Sequence, residues 1–185
     1  MMTESELLIA AQQGDREAFA SIINGYWDRL YRWLLRLTRD TQTAEDLTQD
    51  ALLKAFANLK RFEPGTNFRA WLFRIAHNNF VNFRRANQLP KVALEPTIPP
   101  GQLSPEQAAI GAETIQLVMH AVAKLPSDFR AALLLRIEEQ LSFREIASIL
   151  ETTEETARWR VFKARQKLMS TLHPDLLPST QEKAD

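Results

Sequence analysis

Five of the nine prolines in this chain of 185 residues lie at Pro90, Pro96, Pro99, Pro100 and Pro105, with Gly101 among them. Proline removes a backbone N–H and its ring clashes with the preceding turn, so no regular helix can run through that stretch. On both sides of it, apolar residues recur at helical spacing. The sequence therefore predicts an all-α protein of two small helical domains joined by a Pro-rich linker. The divisions read as 1–87 for the first domain, 88–105 for an extended linker, 106–173 for the second domain and 174–185 for a polar, frayed tail. Two such blocks are long enough to bury small cores of their own.

The first block divides at its capping signals. Thr3 and Glu6 can cap a short helix that ends near Gly14. Asp15 can cap the next, with Phe19, Ile22, Ile23, Tyr26, Leu30, Trp33, Leu34 and Leu37 on its apolar face. Thr43 with Asp46 reads as the start of a third helix. Its inward face would be Leu47, Ala51, Leu52, Ala55, Phe56 and Leu59. Pro64-Gly65 makes a turn, and Asn67 can cap a fourth helix over about 68–85. In the second block a helix runs from near Glu106 to Lys124, and Pro126 breaks it. A Ser127-capped helix continues to about Glu138, where Glu138-Glu139 read as a solvated end.

Leu141 to Leu168 then has the outline of a helix-turn-helix. Ser142 and Glu145 carry capping-box spacing, and Phe143, Ile146, Ala147 and Leu150 share one face. Thr152 and Thr153 break that helix, and Thr153 can cap the next. Ala157, Val161, Ala164 and Leu168 form its buried stripe. Arg158, Arg160, Lys163, Arg165 and Lys167 lie mostly off the stripe, and no acid stands between Thr156 and Lys167. A basic helix can simply be solvated. The tight two-helix outline together with the unbroken positive sign instead points to the DNA major groove.

Charge distribution says more than charge sum. The 23 basic and 23 acidic residues cancel, which argues against a nonspecific DNA coat. Asp40, Glu45, Asp46 and Asp50 form an acidic patch suited to a basic protein partner. From Lys60 to Arg85 the bases Lys60, Arg61, Arg69, Arg74, Arg84 and Arg85 face one acid, Glu63. That segment interleaves aromatics and asparagines, the composition that stacks unpaired bases and holds phosphates. Phe68, Leu72, Ile75 and Phe83 fit a core better than a base platform. Arg69, Arg74, Asn78, Arg84 and Arg85 fit solvent-facing contacts. The absence of cysteine excludes disulfides and thiolate metal sites. No run of about 18 apolar residues predicts a membrane span, and the acidic N-terminus is unlike a secretory signal, so a cytoplasmic protein is expected.

Asp46-Leu47-Thr48-Gln49-Asp50, then Phe68 to Asn78 (FRAWLFRIAHN), then the helix-turn-helix resemble in order and spacing the bacterial RNA polymerase sigma factors. The chain is similar to the extracytoplasmic-function group (group 4) over about Gly14 to Leu172, weakly so in the linker. The resemblance implies that Asp46, Gln49 and Asp50, joined by Leu52 and Phe56, dock on the clamp helices of the largest subunit of core polymerase. It places −10 recognition, with a base taken out of the stack, on Arg61, Asn67, Arg69, Trp71, Arg74, Asn78, Arg84 and Arg85. It places −35 recognition on Thr153, Glu155, Thr156, Arg158, Trp159, Arg160 and Lys163. Ser127 to Glu138 corresponds to the segment that meets the flap of the second-largest subunit. Control by an anti-sigma protein is also implied.

Three departures from the family pattern stand out. Primary sigma factors carry two adjacent melting aromatics where this chain has Trp71-Leu72, which implies weaker melting. Glu151 occupies a turn position where the family often has Gly, at a cost of about 1 kcal/mol if φ is positive. Trp159 and Phe162 stand where smaller or polar residues are common, and can meet thymine methyls or a neighbouring helix. Other classes fit less well. A phosphorylated regulator needs a receiver domain with strands. An enzyme needs partners for His77, His120 and His173, which are scattered, or a Gly-rich loop, and there are five glycines in all. Catalytic residues, metals, cofactors and a small-molecule substrate are therefore not expected. A protein-only adaptor leaves the basic helix unexplained.

Overall fold

The computed structural model describes residues 2–87 and 108–172, and all regular structure among them is helical. The first block holds α1 (Glu4–Gln12), α2 (Arg16–Thr38), α3 (Thr41–Asn58) and α4 (Phe68–Ala86), with a 3₁₀ turn at Leu59–Arg61. The second holds α5 (Ala108–Ala123), α6 (Ser127–Ile137), α7 (Phe143–Ile149) and α8 (Glu154–Leu172). The all-α, two-block architecture agrees with the sequence. The Pro-rich stretch and His173 with the tail beyond it fall outside the described residues.

Most helix starts follow their local chemistry. The Thr3–Glu6 and Ser142–Glu145 capping boxes both form. Asp15 accepts the N–H groups of Glu17 and Ala18, Asn67 accepts that of Ala70, and Thr153 accepts that of Thr156. Gly65 follows Pro64 with φ +92°, a turn conformation that glycine adopts without strain.

Two starts differ from expectation. α3 begins earlier than Thr43, because Arg39 closes α2 in the left-handed conformation (φ +63°) and Asp40 then caps. The Thr43 side chain first, and then the Thr43 N–H that the Asp40 carboxylate accepts at 2.7 Å, hold the Asp40 pKa below the ordinary aspartate value. Asp46 is left in the second turn, where Gln42 donates to it. Ser127 does not cap α6 either. Pro126 holds that position, and the Ser127 hydroxyl is engaged by Arg84 and Asp128.

The core of the first block is built on α2. Ile22, Tyr26, Leu30, Trp33, Leu34 and Leu37 are buried along one stripe. α3 meets it with Ala44, Ala51 and Ala55, whose small side chains let the two axes approach closely. α4 adds Phe68, Leu72, Phe73, Ala76 and Phe80. Trp33 is fully buried, and Phe73 meets its ring at 69°, with centroids 5.4 Å apart. Ile75 and Phe83 are half-buried at the margin of this core. In the second block, Ala131 to Leu135 of α6 pack with Leu141, Ile146, Ile149, Ala157, Val161 and Ala164.

The two blocks touch along α4 against α7 and α2 against α6. Arg130 is 2% exposed and crosses this seam, donating to the carbonyls of Arg36 (2.8 Å) and Leu125 (2.9 Å). Burial, with Arg39 and Arg84 nearby, pulls its pKa down to about 10. Glu138 and Glu139 are not a solvated helix end. Glu139 is buried and paired with Arg29, while Glu138 is paired with Arg36. A local pattern cannot reveal these cations, which come from a helix a hundred residues away.

Trp33→Ala should destabilise the protein by about 3–5 kcal/mol, as expected for deleting a large core aromatic. Trp33→Phe should cost clearly less, because the indole N–H it removes has no hydrogen-bond partner. Urea unfolding followed by circular dichroism checks both, and equal losses would contradict this account of the core.

Candidate nucleic-acid and protein interfaces

Three surfaces carry the residues singled out in the sequence. The first is a groove of about 450 Å³ between α2 and α3, lined by Arg16, Phe19, Ile23, Trp27, Gln49, Leu52, Leu53 and Phe56. Its lining is almost wholly apolar. Leu52 is buried in the floor, but Phe56 is 53% exposed, so it does not face inward with the α3 stripe as expected. Its ring packs on Phe19 at a centroid distance of 4.7 Å. Leu53, 68% exposed, completes the rim and was not foreseen. Asp46 and Gln49 stand exposed on the same helix. Asp50 is half-buried and accepts from Lys54, whose ammonium also reaches Asn79. Phe19, Ile23, Trp27 and Leu53 were legible only as core candidates or not at all. The usable signal was an apolar sector on α3 wider than one packed seam needs.

The second surface is α4 and the turn before it. Arg61 and Arg85 are exposed. Trp71 is half-buried in an aromatic cluster, with its ring centroid 5.3 Å from that of Phe62 and 5.6 Å from that of Phe68. Arg69 is half-buried, with Nε enclosed and unpartnered, so it is less open to solvent than expected. Arg84 is also half-buried and lies over the Phe80 ring. Asn67, Arg74 and Asn78 are engaged by the other block. Asn67 donates to Glu145, while Arg74 (3.5 Å) and Asn78 (3.2 Å) both reach the Glu151 carboxylate. Arg84 meets Ser127, with Asp128 at 3.6 Å.

The third surface is the second helix of the helix-turn-helix. Glu151 adopts φ +49°, the left-handed turn conformation anticipated for that position. Thr153, Glu155, Arg158 and Trp159 are exposed near the start of α8, with Phe162 one turn on. Arg158 pairs with Glu154 and lies over the Phe143 ring, 4.7 Å from its centroid. Trp159 packs on Phe129 of α6 yet remains 51% exposed. Phe162 is 61% exposed. Thr156 and Lys163 are half-buried. Arg160 is directed differently, toward Asp128 at 3.8 Å. The exposed face of α8 is therefore part cationic and part aromatic.

Comparison with known proteins accounts for both blocks. The family described as "Sigma-70 region 2" matches residues 22–89, and "Sigma-70, region 4" matches residues 115–168. The RNA polymerase sigma-H factor of Pseudomonas aeruginosa is 31% identical over 182 residues, covering 92% of this chain and 94% of that protein. The extracytoplasmic-function sigma-E factor of Escherichia coli is 29% identical, covering 94% and 96%. Among solved structures, the sigma factor RpoE of Bartonella quintana in complex with the anti-sigma factor NepR matches with a TM-score of 0.70. It has 29% identity and covers 85% of this chain and 98% of that one. CnrH in complex with the cytosolic domain of CnrY matches with a TM-score of 0.68 and 25% identity, covering 93% and 98%. The chain belongs to the extracytoplasmic-function family of RNA polymerase sigma factors.

His77 lies near the meeting of the two blocks, and its Nδ1 is enclosed without a partner. Burial pulls its pKa down to about 4, outweighing Asp128 and Glu151, while Arg160 and Arg84 push in the same direction as burial. The unfolded chain therefore binds a proton in the window between about 4 and 6.5 that the folded chain refuses. Stability contributed by neutral His77 is full above that window and is lost as pH falls through it, on the order of 2 kcal/mol. Denaturation at about pH 7 and about pH 5 should show a larger loss in the native chain than in His77→Gln. An imidazole that titrates near its ordinary value by NMR would contradict this.

Proposed function

We propose that this sigma factor contacts core polymerase through the α2–α3 groove, reads the −10 region through α4 and reads the −35 element through α8. The observation that carries the reading is the separation of three chemically distinct surfaces on three different helices. The groove is apolar with Gln49 on its lining and Asp46 exposed nearby, which suits a coiled coil carrying basic and aliphatic groups. Asp46, Gln49 and Asp50 supply register to the clamp helices of the largest subunit, and Leu52, Leu53 and Phe56 supply buried area. α6 is the segment that meets the flap of the second-largest subunit.

On α4, the cationic and amide groups from Asn67 to Arg85 hold the non-template strand, and Trp71 offers a ring beside it. From Thr153, the cap of α8, through Glu155, Thr156, Arg158, Trp159 and Lys163 this surface meets duplex DNA, with phosphates positioning and base edges specifying, and Arg160 joins them on leaving Asp128. The region 2 unit is taken as 1–87, the linker as 88–105, the region 4 unit as 106–173 and the tail as 174–185. The protein acts in the cytoplasm as a polymerase subunit without a catalytic site of its own. An anti-sigma protein controls it. Support for that comes from RpoE and CnrH, each solved with a partner on a chain similar to this one along most of its length.

Gln49→Ala with Phe56→Ala should weaken binding to core polymerase at least tenfold, with little change in melting temperature, because neither side chain is buried. A direct binding assay with purified core enzyme checks this, and unchanged affinity would remove the groove from the interface.

Arg158→Ala should weaken binding of the holoenzyme to promoter DNA about tenfold. It should also reduce the salt dependence by about one phosphate contact. Binding measured across a salt series distinguishes this from a base contact, which would leave the slope intact.

A further inference from the structure

We propose that Trp159 is a specificity-determining residue of α8, and that together with Phe162 it selects thymine methyl groups in the duplex. This rests on α8 being the −35 reader, as proposed above, and adds which feature of the bases it selects. At about 3.6 residues per turn, Glu155, Trp159, Phe162, Gln166 and Met169 fall on one stripe of α8, opposite the buried Ala157, Val161 and Ala164. Trp159, Phe162 and Met169 are each more than half exposed, so the outermost line of the helix is largely apolar. Arg158 and Arg165 run along one side of that line, and Lys163 and Lys167 along the other. The helix thus presents an apolar ridge between two cationic flanks.

The flanks identify the occupant. Positive charge on both sides of a ridge matches a major groove, where the phosphates of the two strands border the base edges. No acid stands between Thr156 and Lys167 to offset that charge. The long basic side chains are also held beside the ridge rather than across it. Arg158 pairs with Glu154 and lies over the Phe143 ring, Lys163 donates to Gln166, and the Lys167 ammonium lies 5.8 Å from the centroid of Phe129.

The rings identify the base. The apolar group that a base pair offers in the major groove is the thymine methyl. Every other edge there is a donor or acceptor, which loses water without gaining a partner when a ring covers it. An aromatic ridge therefore favours thymine and disfavours the rest. Trp159 is aimed by α6: its ring packs on Phe129 with centroids 5.3 Å apart, so it has little freedom left to lose on binding. Phe162 lies about 4.5 Å further along the axis, more than the base step of about 3.4 Å, so the two rings meet different base pairs.

The test uses the chain bound to core polymerase and a promoter duplex from a mapped transcription start. Each thymine of the −35 element is replaced in turn by deoxyuridine, which pairs alike and lacks only the methyl. With the native chain, one such replacement should weaken binding about fourfold through Trp159 and a second, at another base pair, through Phe162, the loss expected for one apolar carbon. Trp159→Ser should remove the first penalty and leave the second, and Phe162→Ala should do the reverse. Both side chains are exposed, and melting checks that each variant folds. A cytosine placed at the Trp159 position should bind better once it is 5-methylcytosine, with the native chain and not with Trp159→Ser.

Deoxyuridine without effect at every position, or penalties that persist unchanged in both variants, would overturn the proposal. So would a Trp159→Ser variant that loses affinity for core polymerase while keeping its deoxyuridine penalties, which makes the ridge a protein contact. Failure of the −35 assignment itself looks different: Arg158→Ala, Trp159→Ser and Phe162→Ala would then all leave promoter binding unchanged. Loss of binding in Arg158→Ala, with indifference to the methyl groups, overturns the thymine reading alone.

Discussion

Burial of the α2 stripe is the constraint on which the rest of the structure depends. α2 is the one helix that touches α1, α3, α4 and, across the seam, α6. Trp33, Leu30 and Leu34 lose all solvent contact along it. Each large side chain buried this way contributes about 1.5–3 kcal/mol against the entropy of ordering the chain. With that stripe committed to the core, the remaining faces of α2 are fixed in direction. Phe19, Ile23 and Trp27 open onto the groove beside α3, while Arg29 and Arg36 point to the second block. One helix thus sets both the site proposed for polymerase and one side of the contact between blocks.

The groove is costly to leave open in water. Leu53 and Phe56 expose most of their surface, although the Phe19 ring packs against Phe56 and Trp27 lines the same groove. A chain selected for solubility alone would place polar residues there, so the exposed apolar surface argues for a partner. The aromatic residues on α8 follow the same logic less completely. Trp159 is half covered by Phe129, whereas Phe162 is open. An aromatic at the groove edge offers apolar contact to a thymine methyl but no hydrogen-bond code, so shape and methyl position weigh more in its readout.

Short-range chemistry was legible in the sequence. The capping boxes, the turn at Pro64-Gly65, the helical stripe of α2 and the strained position of Glu151 all depend on residues within a few positions of one another. α3 shows where that limit lies. Thr43 and Asp46 looked like a cap, but Asp40 is a better one once Arg39 ends α2 in the left-handed conformation, a choice made by chain direction. The candidate site was half legible. Charge and motif order picked out α4 and α8, and no local pattern could show that Glu138 and Glu139 are paired with α2. Phe56 was assigned inward because helical periodicity reports a sector, while only packing says how much of that sector is covered.

The zero net charge takes on a local meaning in three dimensions. As sequence it reads as an acidic patch and a basic segment awaiting different partners. In the fold, Arg29, Arg36, Arg74 and Arg84 of the first block stand against Glu139, Glu138, Glu151 and Asp128 of the second. Opposite signs on opposite blocks attract before either meets a ligand. Pairs as exposed as Arg74 and Glu151 contribute at most about 1 kcal/mol each and weaken with salt, whereas the largely buried Glu139 is costly to leave unpaired. The balance therefore lies with α6: Glu139 favours closure as long as it remains shielded from water, and an opening that hydrates it removes that penalty. α6 and α7 belong to one packed block, so the contacts of α6 on α2 and of α7 on α4 hold the same two bodies together.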